Sequence, residues 1–130
     1  MGAQSDLLKQ RSMSFALTVL RLIDNVPTTP SGQVISRQLA KSATSVGANY
    51  RACCNARSRV EFIARLGVVV EEIDETLYWF DVIAGSRFLP PSHVDPVRAE
   101  ASELRAIFAK SLGTARINLK MSKSNDQITR

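Results

Sequence analysis

The sequence lacks the features that would place the chain in or across a membrane. No apolar run approaches the roughly 20 residues that a helix needs to span a bilayer. The opening residues, MGAQSDLLKQRS, do not have the layout of a signal peptide, in which a charged segment precedes an apolar one and a cleavage site. We therefore expect a cytoplasmic protein that has no membrane partner.

Histidine and cysteine are too scarce to suggest a metal centre or a nucleophilic active site. Cys53 and Cys54 are adjacent, a spacing that rarely closes a disulfide and that lacks the second ligand pair of a zinc site. His93 is the single histidine, and no glycine-rich phosphate loop or Glu-x-x-His pair is present. The sequence therefore predicts core cysteines, no catalytic residue, no metal and no cofactor, and we expect a protein that is not an enzyme.

The sequence does contain a helical hydropathy pattern that repeats along one domain. A chain of 130 residues can bury a core without disulfides or metals. Apolar residues recur at three- and four-residue spacing over 5–26, 30–56, 58–85 and about 91–119, and no stretch has a convincing strand pattern. We therefore predict a single all-α domain over 1–130, an up-down-up-down antiparallel four-helix bundle whose core covers about 5–119. The polar residues 120–130 predict a flexible tail.

The stretch 58–85 organises this bundle. Ser58 and Glu61 have the spacing of a capping box, and Gly85 stands where a left-handed C-cap is expected. The predicted core stripe contains Phe62, Leu66, Val69, Val70, Ile73, Leu77, Phe80 and Ala84. These residues share one face of a helical wheel, so that face must be buried against the other helices.

A second face of the same helix combines apolar and acidic residues. Val68 and Trp79 lie roughly 100° or more from the centre of the core stripe, and Glu72 and Glu75 lie on the same side. Two interpretations stay open. Trp79 closes the rim of the core, or the four residues together form the interface with a neighbouring subunit.

The predicted second helix has a core face and an opposite basic face. Thr29 followed by Pro30 favours an N-cap and a first helical turn. The core face contains Ile35, Leu39, Ala43, Val46, Tyr50 and Cys53. Arg37, Lys41 and Arg51 lie on the other side within roughly 80° of arc. The sequence therefore predicts a basic stripe that faces away from the core.

The positive and negative charges are segregated along the chain. The formal net charge of +5 favours an acidic partner. Glu61 is the only acid between residues 31 and 65, a segment that contains Arg37, Lys41, Arg51, Arg57, Arg59 and Arg65. The next segment, 66–85, has no base and contains Glu71, Glu72, Asp74, Glu75 and Asp81. Such a contrast can join helices within one chain or join neighbouring subunits.

Two functions of different classes are compatible with these charges. The first is RNA or DNA binding along the phosphate backbone, which is sensitive to salt and tolerant of sequence. The predicted nucleic-acid-binding residues are Arg37, Lys41, Arg51, Arg57, Arg59, Arg98, Arg105 and Arg116. Tyr50 is the only aromatic residue near the basic stripe and lies on the core side, so base stacking is not indicated. The alternative is a protein-interaction scaffold that binds no nucleic acid and whose acidic, Trp79-bearing face meets the basic face of the next subunit.

Three segments of the sequence carry a family resemblance. They are RQLAKSATSVGAN at 37–49, EFIARL at 61–66 and EIDETLYW at 72–79. They resemble the bacterial four-helix-bundle proteins encoded within intervening sequences of large-subunit ribosomal RNA genes. The same bundle family includes the accessory variability determinant of diversity-generating retroelements. The similarity covers about residues 10–117. Many members have an acidic residue shortly after the Ala-Asn pair, where this chain has Tyr50-Arg51-Ala52-Cys53 and is more basic.

The resemblance implies an assembly and a set of partners. It implies a homopentameric ring with a basic surface. For the retroelement relative it also implies nucleic-acid binding and association with a reverse transcriptase. No catalytic residue carries over, because the family has none established. We therefore expect a homo-oligomer, a pentamer by this resemblance, whose subunit interface includes Val68, Glu72, Glu75 and Trp79.

Overall fold

The structure, a computed structural model, describes residues 2–129 and the side chains of residues 2–125. The chain forms four helices, α1 (Ala3–Ile23), α2 (Pro30–Cys54), α3 (Arg59–Ser86) and α4 (Pro91–Thr129). No strand occurs in these residues, so the predicted all-α class is confirmed. None of the helices in this part of the chain combines the length and the apolar content that crossing a membrane requires.

Each helix packs against its neighbours in sequence, and the bundle closes where α1 meets α4. The connections at 24–29, 55–58 and 87–90 are short, so successive helices run antiparallel. Ser42 of α2 lies beside Thr76 of α3, and Asp74 of α3 lies beside Arg105 of α4. The predicted up-down-up-down bundle is therefore confirmed.

The core follows the predicted faces, except that the buried face of α3 is shifted around the helix near its C-terminus. All of the predicted core residues of α2 are buried, from Ile35 to Cys53. In α3 the buried face includes Thr76 and Ile83, whereas the predicted Ala84 is exposed. Thr76 Oγ1 lies 2.7 Å from the carbonyl oxygen of Glu72 and 2.9 Å from Oγ of Ser42. This buried hydroxyl therefore keeps its hydrogen bonds inside the apolar core.

The helices α2 and α3 begin at the predicted N-caps. Thr29 Oγ1 accepts a hydrogen bond from the backbone N–H of Gly32 at 3.1 Å, and Ser58 Oγ accepts one from the N–H of Glu61 at 3.1 Å. The carboxylate of Glu61 in turn accepts from the backbone N–H of Arg57 at 2.9 Å. These bonds satisfy backbone donors that have no partner within the helix, so both starting points are fixed by local sequence.

The C-terminus of α3 differs from the prediction. Gly85 is not the cap, because the helix continues to Ser86 and Arg87 adopts the left-handed conformation, with φ 59° and ψ 31°. The N–H groups of Arg87 and Phe88 donate to the carbonyls of Ala84 and Ile83, which is the pattern of a Schellman motif. This register puts the apolar Phe88 against the core, whereas a cap at Gly85 would put a serine at the same point of the motif.

The fourth helix is longer than predicted. It continues to Thr129, whereas the hydropathy pattern predicted an end near residue 119 and a flexible tail over 120–130. The backbone of 120–129 is helical because no proline or glycine interrupts it and its lysines, methionine and glutamine favour helix. Arg130, the last residue of the predicted tail, lies outside the described residues.

Candidate nucleic-acid interface and assembly surfaces

The basic stripe of α2 consists of Arg37, Lys41 and Arg51, whose side chains are all exposed. Thr44 and Ala48 lie between them on the same face. Within the part of the chain whose side chains are described, the three cations make no ion pair with a carboxylate. The predicted stripe therefore presents unpaired positive charge along the outside of the bundle.

The turn between α2 and α3 adds the exposed Arg57, and the first residue of α3 adds the exposed Arg59; we call these two residues the turn cations. Their neighbour Arg65 differs, because its Nε lies 3.1 Å from the carboxylate of Glu61. The backbone N–H of Arg57 and the guanidinium of Arg65 both hold the pKa of Glu61 below the ordinary glutamate value. An open cleft of about 480 Å³ lies at this turn, and Arg57, Glu61 and Arg65 help to line it. The turn therefore offers Arg57 and Arg59 as cations, while Arg65 is already neutralised.

Two of the predicted cations of α4 are paired within the chain. The guanidinium of Arg98 lies 3.0 Å from the carboxylate of Asp81, and Arg105 is hydrogen-bonded to Asp74. The bond to Asp74 raises the pKa of Arg105 further above the ordinary arginine value. Arg116 is exposed and has no such partner among the described side chains. Nucleic-acid binding by these three arginines stays a prediction, and the carboxylates of α3 partly neutralise Arg98 and Arg105.

The outer face of α3 contains the predicted interface residues Val68, Glu72, Glu75 and Trp79. Val68 is 37% exposed, Glu75 is exposed, and Glu72 and Trp79 are half-buried. The indole N–H of Trp79 is buried and makes no hydrogen bond to any described residue. The ring of Tyr78, 59% exposed, packs edge-on against Trp79 with centroids 5.0 Å apart. This α3 outer face therefore combines apolar surface with an unsatisfied donor.

The surroundings of Glu72 in this face disfavour its negative charge. Partial burial raises the pKa of Glu72 above the ordinary glutamate value, and repulsion from Glu75 acts in the same direction. Lys41 of α2 opposes this change, but it is not close enough to form an ion pair. A cation supplied from outside the chain would therefore stabilise this carboxylate.

A groove between α1 and α2 was not predicted from the sequence. Met13, Leu17 and Leu20 on α1 are 46%, 44% and 39% exposed and form one wall. Small residues of α2 form the opposite wall, and Lys9 and Arg51 stand at its edge around a volume of about 240 Å³. The missed signal was the spacing of Met13, Leu17 and Leu20, which puts a second apolar stripe on α1 beside its core face.

The small residues of α2 allow α1 to approach closely in this region. A Cβ at Gly47 would lie 3.2 Å from Oγ of the buried Ser12. A side chain larger than glycine at position 47 would therefore crowd Ser12. The groove therefore lies above a tight helix pair, so its walls are held in place by packing.

Cys53 lies in the core of the bundle, Cys54 is half-buried and His93 lies at the surface. Cys53 is buried, and its thiol lies 3.5 Å from the carbonyl oxygen of Phe62. Burial raises the pKa of Cys53 to about 11, which keeps it a thiol rather than a nucleophilic thiolate. His93 is exposed in the first turn of α4. Among the described residues, no group of three or more His, Cys, Asp or Glu side chains is placed to hold a metal ion.

Comparison with known proteins identifies a family and proteins of similar structure. The sequence model of the 23S rRNA-intervening sequence protein family matches residues 6–110. The fold is similar to the 1.70 Å crystal structure of a protein of unknown function from the S23 ribosomal protein family of Bacteroides thetaiotaomicron VPI-5482. The two are 25% identical with a TM-score of 0.78, over 84% of this chain and 97% of that chain. None of the curated proteins matches the sequence.

Proposed function

The chain belongs to the 23S rRNA-intervening sequence protein family, and on that premise we propose that it is a non-enzymatic, cytoplasmic homo-oligomer that binds RNA or DNA. The binding surface consists of the basic stripe of α2 and the turn cations. The resemblance noted from the sequence implies five subunits. Association with a reverse transcriptase, which applies to the retroelement branch of the resemblance, stays a prediction.

The unpaired state of the cations supports nucleic-acid binding. Arg37, Arg51, Arg57 and Arg59 are exposed, and no described carboxylate forms an ion pair with them. Each cation that meets a phosphate displaces condensed counterions, which favours binding at low salt. Arg98 and Arg105 already have carboxylate partners, so we assign them at most a supporting role.

The complementary surfaces of the subunit support self-association. The α3 outer face is apolar with acidic flanks, and the α1–α2 groove is apolar with Lys9 and Arg51 at its edge. Because the two surfaces lie on different sides of the subunit, their contact would be heterologous, and a heterologous contact generates a ring when the rotation closes. Lys9 at the edge of the groove would also stabilise the carboxylate of Glu72, whose pKa is raised by partial burial.

A charge-reversal experiment tests the nucleic-acid surface. We expect Arg57→Glu with Arg59→Glu to lower the affinity for a short duplex about tenfold or more at low salt, and to reduce the slope of log K against log salt by about 2. Fluorescence anisotropy over a salt series measures both quantities. The matched control is Arg21→Glu with Arg87→Glu, which makes the same change in net charge at the opposite end of the bundle. Equal losses in the two double variants would contradict a local binding surface.

The second candidate function is a scaffold that binds no nucleic acid. The observation that favours it is the α1–α2 groove, because assembly through that groove would occupy Arg51. In that case the wild-type protein would bind no duplex at low salt yet would remain an oligomer.

Light scattering tests the assembly surfaces in either case. We expect Trp79→Ala with Glu72→Lys, and separately Leu17→Ser, to shift the mass towards the monomer. Val34→Ser is the control, because Val34 is 52% exposed on α2 but does not line the groove. An unchanged mass in both interface variants would exclude this contact.

A further inference from the structure

The C-terminal part of α4 contributes nothing to the core. Leu112 is the last buried residue of the helix among those whose side chains are described. The helix nevertheless continues from residue 113 to Thr129, which is about 25 Å at about 1.5 Å per residue. We call residues 113–129 the α4 extension. It also lies beyond residue 110, where the match to the family model ends.

The α4 extension carries cations and has no acidic residue before Asp126. The sequence has no acidic residue between Glu103 and Asp126, and the cations in that interval are Arg105, Lys110, Arg116, Lys120 and Lys123. Only Arg105 has a carboxylate partner among the described side chains. A helical segment that contributes no fully buried side chain and holds several unpaired cations is costly in self-repulsion, which a polyanion would relieve.

The spacing of the cations matches an extended polyanion. Arg116, Lys120 and Lys123 lie within about 60° of one another on the helical wheel and span about 10 Å along the axis. A duplex presents about six phosphates over that length, at one charge per roughly 1.7 Å. Ile117 and Met121, each 60% exposed, lie on an adjacent side of the helix rather than among the cations.

The α4 extension lies at the same end of the bundle as the α2–α3 turn. Because α3 and α4 are antiparallel, the pairs Asp81 with Arg98 and Asp74 with Arg105 define one register between them. The same register places Arg59 level with Lys120. The cations of the turn and those of the extension therefore belong to one basic end of the bundle.

We propose that the α4 extension is an arm that binds double-stranded nucleic acid, with Arg116, Lys120 and Lys123 on its phosphates. This inference rests on the proposed function and adds the form of nucleic acid. Residues 113–125 contain no aromatic side chain. Single-strand binding depends on aromatic stacking platforms, so this composition favours a duplex, whose phosphates are denser along the axis.

The test compares two sets of substitutions on the same helix. The first is Arg116→Glu, Lys120→Glu and Lys123→Glu, and the matched control is Ile117→Ser with Met121→Ser. Anisotropy is measured with a 20-base-pair RNA duplex, a DNA duplex of the same sequence and one of the RNA strands alone. We expect the wild type to bind a duplex at least tenfold more tightly than the strand. The triple variant should lose at least thirtyfold in duplex affinity, with a salt slope smaller by about 3. The control should stay within twofold.

A truncation after Leu112 keeps the test independent of any local effect of the substitutions. Because none of the removed residues whose side chains are described is fully buried, the truncated chain should keep most of its thermal stability and lose duplex affinity as the triple variant does. The two duplex probes show whether the arm prefers RNA or DNA.

The possible failures are distinguishable. The triple variant and the truncation would overturn the proposed role of the α4 extension if both bound the duplexes as the wild type does. If Arg57→Glu with Arg59→Glu still lost affinity in that case, the proposed function would stand. If the wild type binds none of the probes at low salt, both are wrong. A lower oligomer mass in the Ile117→Ser, Met121→Ser control, with duplex binding unchanged in the triple variant, would identify the extension as an assembly element and overturn the proposal.

Discussion

At the scale of single residues, the most informative position is Arg87. It is the one non-glycine residue with positive φ among those described, and it caps α3 in a conformation that costs an L-residue about 1–2 kcal/mol. Two residues earlier, Gly85 lies within the helix, where it weakens the helix and where a Cβ would meet no atom within 4 Å. A glycine at position 87 and a non-glycine residue at position 85 would each make the end of the helix more stable.

The exchange of these residues is a direct prediction. We expect Gly85→Ala to stabilise the protein by about 0.5–1 kcal/mol and Arg87→Gly by about 1 kcal/mol. Urea unfolding of the two single variants and of the double variant measures the effect. If Gly85 were the cap, as its sequence position suggests, Gly85→Ala would instead destabilise the helix end.

The partial burial of Glu72 predicts that the stability of the subunit depends on pH. Its raised pKa means that the folded subunit keeps a proton to higher pH than the unfolded chain, whose pKa is about 4.3. Stability contributed by this group is therefore lost as the pH rises from about 4 through the raised value. We expect Glu72→Gln to stabilise the dilute subunit near neutral pH by less than about 0.5 kcal/mol, because solvent screens a half-buried side chain. Urea unfolding at pH 4 and pH 7 measures this gain, which should vanish at the lower pH.

In the oligomer, Glu72→Gln should weaken the contact between subunits, although it stabilises the isolated subunit. If a cation of the next subunit pairs with Glu72, Glu72→Gln removes that attraction and raises the dissociation constant of the oligomer. Sedimentation over a dilution series near neutral pH measures it, with Glu71→Gln as the exposed control. Equal dissociation constants for the two variants would show that Glu72 lies outside the interface.

At the scale of the elements, the ion pair that joins α4 to α1 is less exposed to solvent than the pair that joins α4 to α3 through Arg98. Arg11 of α1 donates to both carboxylate oxygens of Glu100, at 3.1 and 2.7 Å, and also lies 3.2 Å from Glu103. The side chains of Arg11 and Glu100 are 27% and 34% exposed, whereas those of Arg98 and Asp81 are 42% and 61% exposed. A bidentate pair with less solvent around it is worth more than a single exposed contact.

This difference predicts two magnitudes. We expect Arg11→Ala to destabilise the bundle by about 1–2 kcal/mol, because it removes a bidentate pair and leaves Glu100 half-buried without a cation. Arg98→Ala should cost less than about 0.5 kcal/mol. Thermal unfolding of both variants at low and high salt checks the order. Equal costs would mean that the seam between α1 and α4 depends on packing rather than on this pair.

Much of each element was predictable from local sequence, and the relations between elements were not. Thr29 and Ser58 fix the starts of α2 and α3, and the periodicity of α2 predicted its buried apolar residues but not the buried Ser42. The partners of Arg98 and Arg105 depend on the register between α3 and α4, which a wheel for one helix does not contain. The groove on α1 was missed for the same reason, since its exposure depends on how far α2 covers it.

At the scale of the whole molecule, positive charge is concentrated at one end of the bundle and along one side. The turn cations Arg57 and Arg59 and the α4 extension share the end, and the α2 stripe runs up the side from it. The acids of α3 lie on other faces, where Asp74 and Asp81 are used within the chain. This polarity explains why the charge reversals at the two ends of the bundle are expected to differ although they change the net charge equally.

The closure of the bundle has a consequence for its dynamics. The helix α1 packs extensively on α2, but its contact with α4 is the weakest between adjacent helices and includes the Arg11–Glu100 pair. The hairpin of α2 and α3, by contrast, is the most extensively packed pair. Partial unfolding should therefore begin with the detachment of α1 from the rest of the bundle. The amide protons of α1 should then exchange with deuterium before those of the α2–α3 hairpin.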